Sequence, residues 1–344
     1  MSDEKSPVNL PEGTRPTPPY YWGIDVGGTT IKIGLVDDAG HTIGYTVIDT
    51  RESDGAAAAA VRIGETCHQL ADTLGAADHI RRAGLGSPGP MDLSAGTLVS
   101  PPQLPSWWDF NLRDAVAKSV GVAVTFLNDA NAAAYGEYWL GSGRDDESMV
   151  MLTLGTGVGG GIIVEGMLIN GKNSCGSECG HIIVDPSPEA RLCVWGGGRG
   201  HLEAYASASA VVLRARTLMD RGGASSLAKR SEDLTALAVY QAAVDGDELA
   251  CGVIDETAHW LGIGVTSLVH TIDPGSVVLG GAMDFGGSGD PIGERFLAGV
   301  RQEFRSRSFE ALHATTSIKF ASLGGHAGYI GVAGYAKREV SGSR

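Results

Sequence analysis

Two short stretches of this chain combine glycine and threonine in a way suited to holding phosphate. One is Asp25-Val26-Gly27-Gly28-Thr29-Thr30; the other is Leu154-Gly155-Thr156-Gly157, running on through Gly159-Gly160-Gly161. Glycine permits φ > 0 and close approach of the backbone to a ligand. Backbone N–H groups and threonine hydroxyls can then donate to phosphate oxygens. Asp25 is of a type to hold Mg²⁺ through water, and Lys32 could add a point charge or face solvent. Neither stretch has the Gly-Lys-Ser/Thr ending of a P-loop, and neither lies in the strand–loop–helix setting of a dinucleotide site. A glycine pair, Gly280-Gly281, follows a further apolar strand. Each turn alone reads equally well as a plain hairpin turn; the three together favour phosphate.

Phosphate transfer to a hydroxyl needs a proton acceptor, and a positioned carboxylate is the usual one. Asp129 is the candidate: it closes an apolar strand over 122–127 and precedes an alanine-rich helical stretch over 130–140. The competing reading is that Asp129 only caps that helix, a common role for aspartate.

The elements that must position these residues follow from the apolar pattern. Strands over 21–26 and 31–36 form an antiparallel hairpin about the first Gly/Thr turn, and a second hairpin over 150–164 repeats the pattern. Such repetition suggests two related halves. Helices are expected over 55–74, 112–120, 202–218, 233–271 and 328–337, with further strands over 82–85 and 276–279. Residues 1–20, rich in proline, read as a disordered tail. Trp107 and Trp108 are expected to pack in the core rather than stack on a ligand.

With 344 residues the chain has room for two domains. Its 26 basic and 40 acidic residues give a net charge of −14, which argues against a nucleic-acid or anionic-membrane surface. Five cysteines are an odd set in a large chain, so a reducing, cytoplasmic setting is expected. No apolar run near the N-terminus resembles a signal peptide, and none is long enough for a membrane span.

In order along the chain, Asp25-Val26-Gly27-Gly28-Thr29, Leu127-Asn128-Asp129-Ala130-Asn131-Ala132, Leu154-Gly155-Thr156-Gly157, Glu178-Cys179-Gly180-His181 and Leu202-Glu203-Ala204-Tyr205-Ala206-Ser207 resemble the motifs of the ROK family of bacterial sugar kinases. That family lies within the actin-like ATPase superfamily. The resemblance implies an α/β, two-domain actin-like (ribonuclease H-like) fold with a cleft between the domains, where ATP and sugar meet. The small domain would be 21–129 joined by a helix at about 325–338, and the large one 130–324.

By the same resemblance, Asp129 is the base, and Asn128, Glu178, His181 and Glu203 line the sugar with the Gly86-Ser87 loop. Gly27, Gly28, Thr29, Thr30, Lys32, Gly155, Thr156 and Gly157 hold the phosphates of Mg-ATP, and Gly280 and Gly281 lie beside the nucleoside. The stretch at 202–207 favours glucose among hexoses, with N-acetylmannosamine or another hexose as alternatives and polyphosphate as an alternative donor. A homodimer is implied. The family also includes sugar-responsive repressors with an added N-terminal helix-turn-helix domain; about 20 proline-rich residues before the first strand are too few for one.

One departure stands out. Many family members hold zinc with the histidine of Glu-x-Gly-His and three cysteines, but Val194, Gly196 and His201 occupy the cysteine positions here. Valine and glycine cannot ligate metal, so no zinc is expected, and the loop would be shaped by glycine turns and Trp195. Cys175, Cys179, His181, Cys193 and His201 are the types from which an atypical site could be built, although Cys175 and Cys179 read as small core residues.

Overall fold

The computed structural model describes residues 16–193, 198–230 and 233–342. The chain divides into two units. One gathers the residues up to Arg144 with Met167–Gly176 and those from Leu323 onward; the other holds Asp145–Gly166 and Ser177–Ser322.

In the first unit, strands Tyr20–Val26 (β1), Thr30–Val36 (β2), Thr42–Asp49 (β3) and Ile80–Ser87 (β4) precede a small three-stranded sheet of Met91–Asp92 (β5), Thr97–Leu98 (β6) and Phe110–Asn111 (β7). Val124–Asn128 (β8) completes the main sheet, in the order β3-β2-β1-β4-β8. The first three strands are antiparallel neighbours, whereas β4 and β8 run parallel to β1. The inner strands are apolar at nearly every position because both faces are covered. Helices Ala56–Leu74 (α1) and Leu112–Val120 (α2) cover one face. The α1 sequence buries Ala56, Ala59, Ala60, Ile63, Cys67 and Ala71, a helical stripe, and ends at Gly75 in the left-handed region.

The helix Asp129–Trp139 (α3) and the chain's last helix, α10, pack on each other; α10 spans Ala327–Ser341 and lies on the other face of the sheet. Small residues bring these backbones into contact. A Cβ at Gly331 would collide with the Ala132 carbonyl, and one at Gly23 of β1 with the Tyr329 carbonyl. Because α3 packs on α10, the chain leaves this unit after Arg144 and not at Asp129, where the sequence reading drew the boundary.

The second unit contains Met149–Leu154 (β9), Val158–Val164 (β10), Ser276–Gly280 (β12) and Ser317–Phe320 (β13); the two-residue strand Met167–Leu168 (β11) falls in the first unit's segment. The order β10-β9-β12-β13 repeats β2-β1-β4-β8: an antiparallel hairpin, then two parallel strands. The suspected internal repetition is therefore a repeated sheet topology. The helices are Glu203–Ala206 (α4), Ala208–Asp220 (α5), Ala236–Val244 (α6), Glu248–Ile272 (α7), Pro291–Arg307 (α8) and Glu310–Thr315 (α9).

Two expected long helices are each interrupted. Ser207 leaves the helical region to accept the Ala210 N–H as the cap of α5. Gly246 takes φ +85°, and Asp247 caps α7 by accepting from Ala250. No helix among the described residues is long and apolar enough to cross a membrane.

Candidate active site

In the first unit the carboxyl ends of the parallel strands line up. Asp25 of β1 sits opposite Gly86 of β4, and Ser87 opposite Asn128 of β8. Ligands of α/β sheets commonly bind at such ends. A Cβ added to Gly86 would lie 3.6 Å from Asp25 Oδ1, and one added to Gly89 would lie 3.3 Å from Asn128 Nδ2. The Gly86–Gly89 loop thus runs beside both side chains. Ser87 is buried and turns its hydroxyl onto the Pro88 carbonyl, so that loop offers backbone rather than Oγ.

The capping question at Asp129 is settled by its neighbour. Asn128 Oδ1 accepts from the N–H of Ala130 at 2.9 Å and lies 3.4 Å from that of Asn131, which makes Asn128 the N-cap of α3. Asp129 is the first helical residue, with Oδ1 accepting from Ala130 at 2.8 Å. Burial raises its carboxyl above the ordinary aspartate value, against the lowering effect of the Ala130 N–H. Asp25 is raised to about 6, first by burial and then by the charge of Asp129, with Lys32 opposing. Lys32 faces Asp25 across the hairpin and donates to the Gly325 carbonyl at 2.7 Å. A carboxylate whose charge is felt by a neighbouring carboxyl makes a pair suited to a hard divalent cation.

The first Gly/Thr turn closes through the Gly27 N–H on the Thr30 carbonyl at 2.9 Å, leaving Gly28 and Thr29 exposed. In the second unit the turn Gly155–Gly157 joins β9 to β10 and is tied to α5. The Ala208 N–H donates to the Gly155 carbonyl at 2.8 Å, and Ser209 Oγ to the Thr156 carbonyl at 2.9 Å. One expectation is corrected here. None of Gly27, Gly28, Gly155 and Gly157 has positive φ; what sets them apart is the missing side chain, with open space where a Cβ at Gly155 would be. Gly281 does need it: φ is +98°, and a Cβ there would run into the Leu154 backbone, next to where Met283 N–H bonds the Leu154 carbonyl.

Also in the second unit, Glu203 is neither exposed nor loose. It is 4% exposed; Oε2 accepts the Val158 N–H at 3.0 Å and Oε1 the Cys193 thiol at 3.0 Å. It therefore braces the start of β10 directly below the second turn, a role the sequence did not suggest. Tyr205, two residues on, bonds Asp185, and the buried Arg214 holds the Tyr205 carbonyl at 2.9 Å.

Glu178 and His181 are exposed, with Glu178 Oε2 3.9 Å from His181 Nε2. His181 Nδ1 lies 3.0 Å from His201 Nδ1, and His201 is held below its ordinary pKa by burial and then by His181. His181, Cys193 and His201 bring their ligating atoms within 4.8 Å of one another. Two imidazoles and a thiol are a zinc-type donor set. The expectation of no zinc rests on the residues at 194, 196 and 201; of the five residues from which an atypical site could be built, His181, Cys193 and His201 come together. Val194, Trp195 and Gly196 lie outside the described residues.

Two smaller expectations need correction. Cys179 is buried against Gly160 as expected, but Cys175 is exposed. Trp107 is buried and donates to the Glu52 carbonyl, whereas Trp108 is 54% exposed and donates to Pro101. Neither indole needs a ligand to satisfy its N–H.

The paired sheets define an actin-like ATPase fold. The chain belongs to the ROK family, whose pattern it matches over residues 21–339. It is 32% identical over 323 residues to the glucokinase of Thermotoga maritima, covering 93% of this chain and 98% of that one. Among solved structures, the ROK hexokinase of Thermus thermophilus superposes with TM-score 0.79 at 29% identity, covering 94% of this chain and all of that one. A ROK glucokinase of Streptomyces griseus, in complex with glucose and AMPPNP, gives TM-score 0.72 at 30% identity over 93% of this chain and 99% of that one.

Proposed function

We propose that this protein transfers the γ-phosphoryl group of Mg-ATP to a hydroxyl of a hexose, with glucose as the favoured acceptor. The observation that carries the proposal is the division of labour at the start of α3. Asn128 caps the helix, which leaves the Asp129 carboxylate, raised by burial, available as a base. Asp129 takes the hydroxyl proton as the sugar oxygen attacks phosphorus, and ADP leaves in line.

The glycine turns at 27–30 and 155–157 hold phosphate oxygens, with Lys32 nearby, and Gly280 and Gly281 flank the nucleoside. Asp25 would hold Mg²⁺ through water, and the ion would neutralise charge on the phosphates. Asn128 Nδ2, Glu178 and His181 bind sugar hydroxyls with backbone of the Gly86–Ser87 loop. Glu203, held by Val158 and Cys193, keeps a second lone pair on each oxygen for the same purpose. His181, Cys193 and His201 would hold a structural zinc, fixing the His181 ring. A cytoplasmic homodimer completes the proposal.

The test is a coupled ADP-release screen over a hexose panel that includes N-acetylmannosamine, with Asp129→Asn as control. Turnover on glucose that collapses in the variant supports the reading. Sugar binding without turnover on any hexose would instead make the chain a non-catalytic regulator.

A further inference from the structure

The second unit has a groove of about 410 Å³ that starts at Thr156 and runs along one face of α5. Ser209, Val212, Leu213 and Arg216 form that face, spaced i, i+3, i+4, i+7, and Leu234 and Ala236 form the opposite wall. Ser209 to Arg216 is seven residues, or about 10 Å along the helix. The groove therefore has three zones in line: a polar end at the Gly155–Gly157 turn, an apolar middle, and a guanidinium. Leu213 is 54% exposed in that middle zone. Arg216 is exposed, and among the described residues its side chain makes no hydrogen bond or ion pair.

A nucleotide whose phosphates rest on the Thr156 turn has its base lying over Val212 and Leu213 and its far edge at Arg216. This placement rests on the kinase reading above. Arginine offers donors only, in a planar fork. Guanine and hypoxanthine present two acceptors, O6 and N7, to such a fork; adenine presents N7 beside an amino group, which is itself a donor.

We propose that Arg216 reads the acceptor edge of the donor's purine and makes 6-oxopurine triphosphates competent phosphoryl donors beside ATP. The experiment is kcat/KM for ATP, GTP and ITP with saturating hexose, on the wild-type chain and Arg216→Met, paired with equilibrium binding of fluorescent GDP and ADP analogues to both. Wild-type efficiency with GTP and ITP should lie within about tenfold of that with ATP. Arg216→Met should lower the GTP-to-ATP ratio at least tenfold, with the same direction in binding. Wild-type rejection of GTP and ITP, or a ratio unmoved by Arg216→Met, overturns the assignment while ATP turnover leaves the kinase reading intact. Absence of transfer from every donor to every hexose overturns the kinase reading and this inference with it.

Discussion

His181 and His201 meet ring to ring, Nδ1 to Nδ1 at 3.0 Å. One of these nitrogens must carry the proton and the other accept it, so the contact fixes both tautomers. Without zinc, the Glu178 carboxylate near His181 Nε2 favours a proton there, which makes His201 the donor. Zinc held by His181, Cys193 and His201 would take the place of the proton shared by the rings and still leave His181 Nε2–H for a sugar oxygen. His201→Ala should raise the sugar KM several-fold with kcat less affected, as steady-state kinetics will show. Added zinc should raise the Tm of the wild-type chain and not of the variant; equal shifts in both would remove His201 from the ligand set.

Asp129→Asn keeps the shape of the site and removes the base. A drop in kcat of about 10²- to 10⁴-fold is expected, with sugar binding by calorimetry within a few-fold of wild type. Because the Asp129 carboxyl is raised by burial, the acid limb of the wild-type kcat/KM profile should lie above the ordinary aspartate range.

Asp25 gives a stability prediction with a definite sign. Its pKa of about 6 in the fold exceeds the ordinary 3.8, so the folded state holds that proton more tightly than the unfolded chain. Ionised Asp25 therefore destabilises above pH 6, and the effect fades as pH falls towards 4. In metal-free buffer Asp25→Asn should stabilise the protein at pH 7–8 by up to about 3 kcal/mol, with no gain at pH 4, and should be inactive. Denaturant melts at the two pH values check this; a variant less stable at pH 8 than wild type contradicts it.

Gly331 tests the helix contact that holds the first unit. Any side chain there meets the Ala132 carbonyl, a backbone atom that cannot swing away. Gly331→Val should destabilise by about 2 to 4 kcal/mol, read as a lower denaturant midpoint.

Much of this was legible in the sequence, and the misses have physical causes. The hairpins and the strand before Asn128 were readable because they are apolar over a whole strand and end at glycine or asparagine. α8 is hard to read in the sequence, because its buried residues Phe296, Leu297, Val300 and Phe304 are spread among charged ones. At the site, residue types pointed to Asp129, but only the fold shows Asn128 taking over the cap. The thiol of Cys193 on Glu203 was invisible for a different reason. It joins residues ten apart across a loop, and no local pattern encodes such a meeting.

The seating of α10 has one more consequence, and it concerns synthesis. The strands of the first unit are translated before α10, so the face of β1 and β4 that meets Tyr329 and Val332 stays without that helix until residues 327–341 have been made. Every segment of the second unit, ending at Ser322, precedes α10 in the sequence. The sheet that is translated first is thus the one whose cover is translated last, so a chain shortened before α10 would leave its oldest sheet exposed to chaperones.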